Sequence, residues 1–508
     1  MNQPILKKYF SIDGVLYFVL FILIIIFRYF VLEEFSFKYT DSDQSIMWLG
    51  LKNYSEGLFY EPRFYGQSYN TMLEAFFAVP LFKLGVPAYK ILPIITSVFS
   101  LAPYFIISLF VFFKKSPTIA LLILSIPLLL PIDYSLITSL SRGFVTGIFI
   151  SSFGAIAIFF PRSRISFLFC SLITIVGFSV NSNSILIALP CLLFLFFENS
   201  KNIFFYIYSA FGIALGISIY FGVDHFYALN PFYDLHKFPF YYSFDELKAS
   251  LSHLDIFFNG ISPIFWHTGF IVLLLFAVIA VVLYKQKKIK ETFIVLLVPI
   301  AIIITLGVNK VHDGNNSIFF SITRMYLSIP ILICISLSFL DNLIYSRLLY
   351  VYLIIPCAYF IFDINNLDKT IDKDVSPKIN HVVAIMEVKR LYKECNYLKT
   401  ISDKYNIQLI VISNHYFYDF YDYGCPSCID KFPNTLRPIY ERRTWRLVED
   451  EKKVYSNILI IDTDRDFENQ YKFVKRIGDA NEFFLIENNK MFTMDLLDKL
   501  KIEYRKYK

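Results

Sequence analysis

Charge is what this chain has least of. Only 18% of its 508 residues are Asp, Glu, Lys or Arg, against 56% hydrophobic and 19% aromatic. Soluble domains carry about 25% charged residues, so an ordinary soluble enzyme is excluded. Glycine and proline are sparse too, 18 and 21 residues, which rules out collagen-like repeats and low-complexity disorder. Seven cysteines are too few for a disulfide scaffold. A net charge of +6 is small for this length and argues against a nucleic-acid binder. What is abundant is apolar surface, and a chain of that composition belongs mainly in lipid.

The few charges are unevenly placed. Residues 364–508 hold 48 of the 90 charged side chains, leaving 42 for the first 363 residues. This predicts two parts, a polytopic helical membrane domain over 1–363 and a soluble domain over 364–508. About twenty apolar residues span the hydrocarbon core as a helix. Eleven runs meet or approach that length: 14–32, 91–113, 117–132, 143–160, 165–180, 184–198, 203–221, 264–284, 291–308, 325–340 and 347–363. No small-residue cleavage site follows the first, so it reads as a retained anchor.

The run at 71–85 is short and holds Glu74, Pro80 and Lys83, so it reads as an interfacial helix. With it on the surface, Lys7, Lys8, Lys114, Lys115, Arg162, Arg164, Lys201 and the 285–290 cluster all face the cytoplasm. The expected topology is a multi-pass inner-membrane protein with a cytoplasmic N-terminus and an external, periplasmic C-terminal domain. Most polar residues suited to chemistry then gather outside: Asp41, Asp43, Asp133, Arg142, Asp224, His225, Lys310, His312 and Arg324.

Asp41 and Asp43 sit just beyond the first span. Thr40, Asp41 or Ser42 can also serve as the N-cap of a helix over 44–52. Further along, YGQSYNTMLEAFFAVPLFKLG resembles a bacterial subgroup of the GT-C fold glycosyltransferases, related to the protein-mannosyltransferase and aminoarabinose-transferase families. The matching positions are Tyr65, Gly66, Gln67, Tyr69, Leu73, Glu74, Ala75, Pro80, Leu81 and Phe82. ITRMYLSIP (322–330) is similar to the Arg-Tyr-aliphatic-Pro stretch that opens a late span in these enzymes, with Met325 interposed.

The resemblance implies a GT-C-like fold with juxtamembrane helices in the first external loop, and an inverting transferase using a polyprenyl-phosphate sugar. The acceptor would be an envelope glycan, lipid or protein. Asp43 inherits the role of general base. Gln44 stands where the family has Glu, which leaves Asp41 as an alternative or assisting carboxylate. A base within reach of the acceptor hydroxyl and fixed cations on the leaving phosphate are what such a transfer requires. Arg324 is the candidate phosphate ligand, with Lys310 and His312 widening that site.

Arg63, Tyr65, Gln67, Tyr69 and Glu74 could line a sugar or acceptor site, or could seat the interfacial helix. Asp133 and Arg142 could join that site, or pair with each other. Asp224, His225 and His236 are acceptor-side candidates. A divalent cation shared by Asp41 and Asp43 is conceivable but not favoured, since hard cations want about six oxygen ligands. No metal site and no nucleic-acid partner are expected.

The tail reads as a small α/β domain. The stretch 383–406 is expected to be helical, 407–413 and 454–464 to be strands, and 493–507 a terminal helix. Cys425 and Cys428 form a C-x-x-C motif, read as a local structural disulfide; Cys170, Cys191, Cys334 and Cys357 are read as packing residues inside spans. Two other functions stay open: an O-antigen polymerase or ligase, and a polytopic transporter or lipid flippase.

Overall fold

The computed structural model describes residues 11–233, 235–341, 346–375, 384–415, 417–478, 481–488 and 490–505. Lys7 and Lys8, used above for orientation, lie outside them. The chain is mostly helical, with a mixed α/β region towards its C-terminus. It divides into two compact units. The first comprises Met1–Ser36, Pro93–Gly222 and Phe238–Val382; the second comprises Phe37–Leu92, Val223–Lys237 and Val383–Lys508.

Five helices among the described residues are long and apolar enough to cross a membrane: Ile12–Ser36, Ala88–Lys114, Ser182–Asn199, Ile203–Leu229 and Tyr350–Asp374. Together they suggest a multi-pass membrane protein. Each overlaps one of the runs read from sequence, and Tyr350–Asp374 continues eleven residues beyond its run, through the expected domain join at 363. Shorter apolar helices occupy Pro117–Leu129, Thr146–Phe159, Arg164–Val180, Phe270–Lys285 and Ile322–Ser338. The first helix starts where Ser11 accepts a hydrogen bond from the Gly14 amide at 3.2 Å. Its outward residues are Ile12, Val15 and Phe18, all well exposed, and Ile207, Phe211 and Phe221 are exposed likewise on Ile203–Leu229. Apolar residues exposed along whole helices have lipid, not water, as their natural solvent.

A buried charge inside the first unit finds its partners within that unit. Arg28 is buried and donates to the Ser135 carbonyl at 2.8 Å and to Thr138 Oγ1 at 3.1 Å. Gly212 lies against the backbone of another helix, and a Cβ there would sit 2.3 Å from the Leu168 carbonyl oxygen. Only glycine permits that approach.

The second unit joins the first loop to the tail. Strand β1 (Tyr39–Asp41) pairs antiparallel with β2 (Ile385–Glu387), setting Tyr39 opposite Glu387 and Asp41 opposite Ile385. The main sheet contains β3 (Leu409–Asn414), β4 (Asn434–Leu436), β5 (Asn457–Asp462), β6 (Val474–Arg476) and β7 (Phe483–Glu487), in the order β4-β3-β5-β7-β6. β3 runs parallel to β4 and β5, whereas β7 is antiparallel to β5 and β6. Strands β3 and β5 read as continuous aliphatic runs because both faces are covered. Leu409, Val411, Ile458 and Ile460 share one core with Leu447 and Phe467.

Three expectations for the tail need correction. The stretch read as a helix from residue 383 begins with strand β2, and the helix proper is Val388–Lys404. Its Leu391, Cys395, Leu398 and Ser402 fall on one buried stripe. The terminal helix stops at Lys499, because Lys501 turns left-handed (φ 54°) and the Ile502 amide closes back on the Leu497 carbonyl at 2.9 Å. Finally, Cys425 does not pair with Cys428. It is bonded to Cys395, with the two Cα atoms 5.1 Å apart. Cys425–Cys428 is itself one short helical turn, packed on the Val388–Lys404 helix that brings Cys395 to it. Cys428 remains a thiol, which burial pushes up to about 12.

Candidate functional site

The helix that follows β1 is Ser42–Ser55, and its N-cap is Asp41. Asp41 Oδ1 accepts from the amides of Asp43 at 2.8 Å and Gln44 at 3.1 Å, while Oδ2 accepts from Gln44 Nε2 at 2.8 Å. Its side chain is wholly buried. Gln44 thus completes the cap. Asp43 stands in the first helical turn with its carboxylate turned elsewhere. Arg442 Nη1 donates to its Oδ1 at 2.8 Å, and the two side chains remain 30% and 24% exposed.

Arg442 belongs to the run Glu441-Arg442-Arg443. Arg443 is buried; its Nε donates to Glu441 Oε1 at 2.8 Å and its Nη2 to Asp422 Oδ1 at 2.5 Å. These bonds anchor the segment that carries Arg442. Beside it, Arg437 is paired with Asp419 and lies 3.3 Å from the Tyr418 ring centre. Burial raises the Asp419 pKa, Arg437 and Arg442 oppose that rise, and Asp43 adds to it. The site therefore has alternating charge, three guanidinium groups among four carboxylates.

The Tyr-Gly-Gln-x-Tyr stretch packs against the same segment. Gly66 has φ +72°, and a Cβ there would lie 2.9 Å from Arg442 Cβ and 3.1 Å from its carbonyl oxygen. Tyr65 is buried, accepts from Asn53 Nδ2 at 3.0 Å and meets Trp445 edge-on; Tyr60 stacks on Trp445 at 3.6 Å. Gln67 forms a parallel bridge with His236, whose amide donates to the Gly66 carbonyl at 3.0 Å. Tyr69 is half-buried, and Glu74 is wholly buried in the first turn of Leu73–Lys83. That helix has eleven residues, and its Phe76, Phe77 and Leu81 are exposed.

Arg63 donates to the Ser68 carbonyl at 2.5 Å and to Asp224 at 3.4 Å. Near it, Glu61 is buried and accepts from the Tyr227 hydroxyl at 3.1 Å. Burial lifts the Glu61 pKa to about 8, although the Tyr227 hydroxyl and the Gly66 amide pull the other way.

The first unit holds the other candidates. Arg324 is buried; Nη1 donates to the carbonyls of Phe320 at 3.1 Å and Ser321 at 2.9 Å, and Nη2 to Asp313 Oδ2 at 3.3 Å. Lys310 donates to the same oxygen at 2.7 Å. Its Nζ lies 3.9 Å from the Phe238 ring centre. Burial lowers the Lys310 pKa against the pull of Asp313. His312 Nε2 lies 2.9 Å from the Leu306 carbonyl oxygen and 3.8 Å from Glu246. Two cations thus meet over one carboxylate, with His312 close by in the same loop.

Asp133 and Arg142 do not pair. Arg142 donates to the Phe319 carbonyl and faces the Phe144 ring, while Asp133 lines a 410 Å³ cavity with His267 and Lys373. Burial raises the Asp133 pKa, and His267 and Lys373 oppose it. Among the described residues, no group of three His, Cys, Asp or Glu side chains could hold a metal ion.

Arg442, Asp419 and Arg437 are not among the residues that the sequence singles out. The run ERR at 441–443 was the available signal, a cluster of charge beside an aromatic pair. No protein-family model matches the chain, and no curated protein sequence matches it.

Proposed function

We propose that the protein is an integral-membrane inverting glycosyltransferase. It moves a sugar from a polyprenyl-phosphate donor to an envelope glycan, lipid or protein acceptor on the external face of the membrane. The observation that carries this reading is the division between the two acids. Asp41 is consumed by the helix cap, whereas Asp43 stays partly exposed against a fixed guanidinium.

In this reading Asp43 takes the proton of the acceptor hydroxyl. The oxygen attacks the anomeric carbon, the bond from that carbon to the phosphate oxygen breaks, and polyprenyl phosphate leaves with the configuration inverted. Arg324 and Lys310, within the first unit, suit a phosphate, since a planar fork and an ammonium already converge on one anionic partner, Asp313. A polymerase or ligase of envelope glycans is the second reading.

The test uses the purified full chain in lipid nanodiscs with a panel of polyprenyl-phosphate sugars. At least one should protect the protein against heat and be consumed with an acceptor extract. Asp43→Asn should abolish turnover while preserving the melting curve. Full turnover in that variant overturns the assignment.

A further inference from the structure

Unit two receives the chain from one apolar helix and returns it to another: Phe37 follows Ile12–Ser36 directly, and Pro87 precedes Ala88–Lys114. At those junctions it carries a groove of about 790 Å³. Phe37, Tyr39, Tyr89 and Tyr392 supply aromatic walls, and Lys38 and Lys389 supply cations beside Glu387. Lys90 adds a third cation, its Nζ 5.7 Å from the Phe37 ring centre and 5.9 Å from that of Tyr89. Two helices, Ala88–Lys114 and Val388–Lys404, begin at this groove, so their positive dipole ends add to the same field.

We propose that this groove binds the headgroup of an acidic phospholipid. Tyr39 and Tyr89 adjoin the apolar helices Ile12–Ser36 and Ala88–Lys114, the depth at which amphipathic tyrosine rings settle. The three lysines select for a phosphate whose charge is not cancelled by a choline or ethanolamine of its own. The site is distinct from Asp43 and Arg442 and does not depend on the transferase reading.

Each lysine near an acidic lipid surface contributes about fivefold in binding, so losing three costs about a hundredfold. Native mass spectrometry of the full-length protein, titrated with phosphatidylglycerol or phosphatidylcholine, tests this. The wild type should retain phosphatidylglycerol preferentially, and K38Q/K90Q/K389Q should lose that preference at an unchanged melting temperature. K38R/K90R/K389R should keep it, since charge and not lysine itself is required. Equal retention of both lipids by the wild type, undiminished retention by the Gln variant, or loss in the Arg variant would each overturn the proposal. So would equal protection of the groove by soluble glycerol phosphate, which would make it a site for free anions.

Discussion

Reducing the Cys395–Cys425 bond should destabilise the second unit by an amount that the loop length sets. The bond joins residues 30 apart in sequence. Closing a loop of that size removes chain entropy from the unfolded state, worth about 3.6 kcal/mol at 25 °C. For a unit of roughly two hundred residues, that corresponds to a fall in melting temperature of about 7–14 °C. Cys395→Ala and Cys425→Ala should each show this loss. The double variant should lose little more, because either single change already opens the loop. Cys428→Ala should stay close to wild type, since its thiol closes nothing.

The assay is thermal melting of the purified full chain with and without reductant, paired with mass mapping of alkylated cysteines. Without reductant, Cys428 should be open to alkylation after unfolding, and Cys395 and Cys425 should not. Alkylation of Cys395 in the unreduced protein would refute the pairing. So would a loss on Cys428→Ala equal to that of Cys425→Ala, with Cys395→Ala close to wild type, which is what a C-x-x-C bridge requires.

If the protein is the proposed transferase, Arg442→Ala should lower kcat about a hundredfold by releasing Asp43 from its alignment, with stability changed by less than about 1 kcal/mol, and Arg442→Lys should recover part of the rate. Steady-state kinetics beside a melting curve separate the two effects. Gly66→Ala should cost about 1–2 kcal/mol, because a left-handed φ and contact with the Arg442 backbone both oppose a Cβ; denaturant titration checks this. Glu61 supplies a pH test. Its folded pKa, about 8, exceeds the unfolded value near 4.5, so the folded state binds the extra proton and stability falls as pH rises between those values. Glu61→Gln removes this slope. Between pH 5.5 and 7.5 the variant should gain on wild type by up to about 2.5 kcal/mol, and parallel melting curves across that range would contradict it.

Features carried by a continuous stretch of chain were legible before the structure. The five long apolar helices are runs of one kind of residue, and β3 and β5 are short aliphatic runs bounded by polar residues. The cap at Asp41 could be read because an acid preceding a helix has a local reason to be there. Features built from distant segments were not legible. Asp43 and Arg442 are 399 residues apart, and nothing in the composition of either neighbourhood names the other. β1 and β2 have three residues each, too few for a period-two pattern, yet their pairing brings the first loop into the same unit as the tail. Cys425 had a nearer candidate partner in sequence. The helix that presents Cys395 decided the outcome, and helix packing is not encoded in cysteine spacing.

The Tyr-Gly-Gln-x-Tyr stretch acquires a different meaning from its surroundings. As a motif it points to sugar contacts, yet Tyr65 is buried with its hydroxyl bound to Asn53, and Gly66 is where the backbone of Arg442 approaches. Tyr60 and Tyr65 close on Trp445 from the same loop. These residues grip the 441–445 segment, and their effect on Asp43 runs through the guanidinium that this segment holds. A substitution at Tyr65 should therefore act as Arg442→Ala does, lowering kcat while leaving donor KM in place. A change at a true sugar contact would raise KM as well. Measuring both constants for Tyr65→Phe, Tyr65→Ala and Arg442→Ala distinguishes a positioning loop from a binding one. A rise in KM confined to the Tyr65 variants would return that residue to the sugar site.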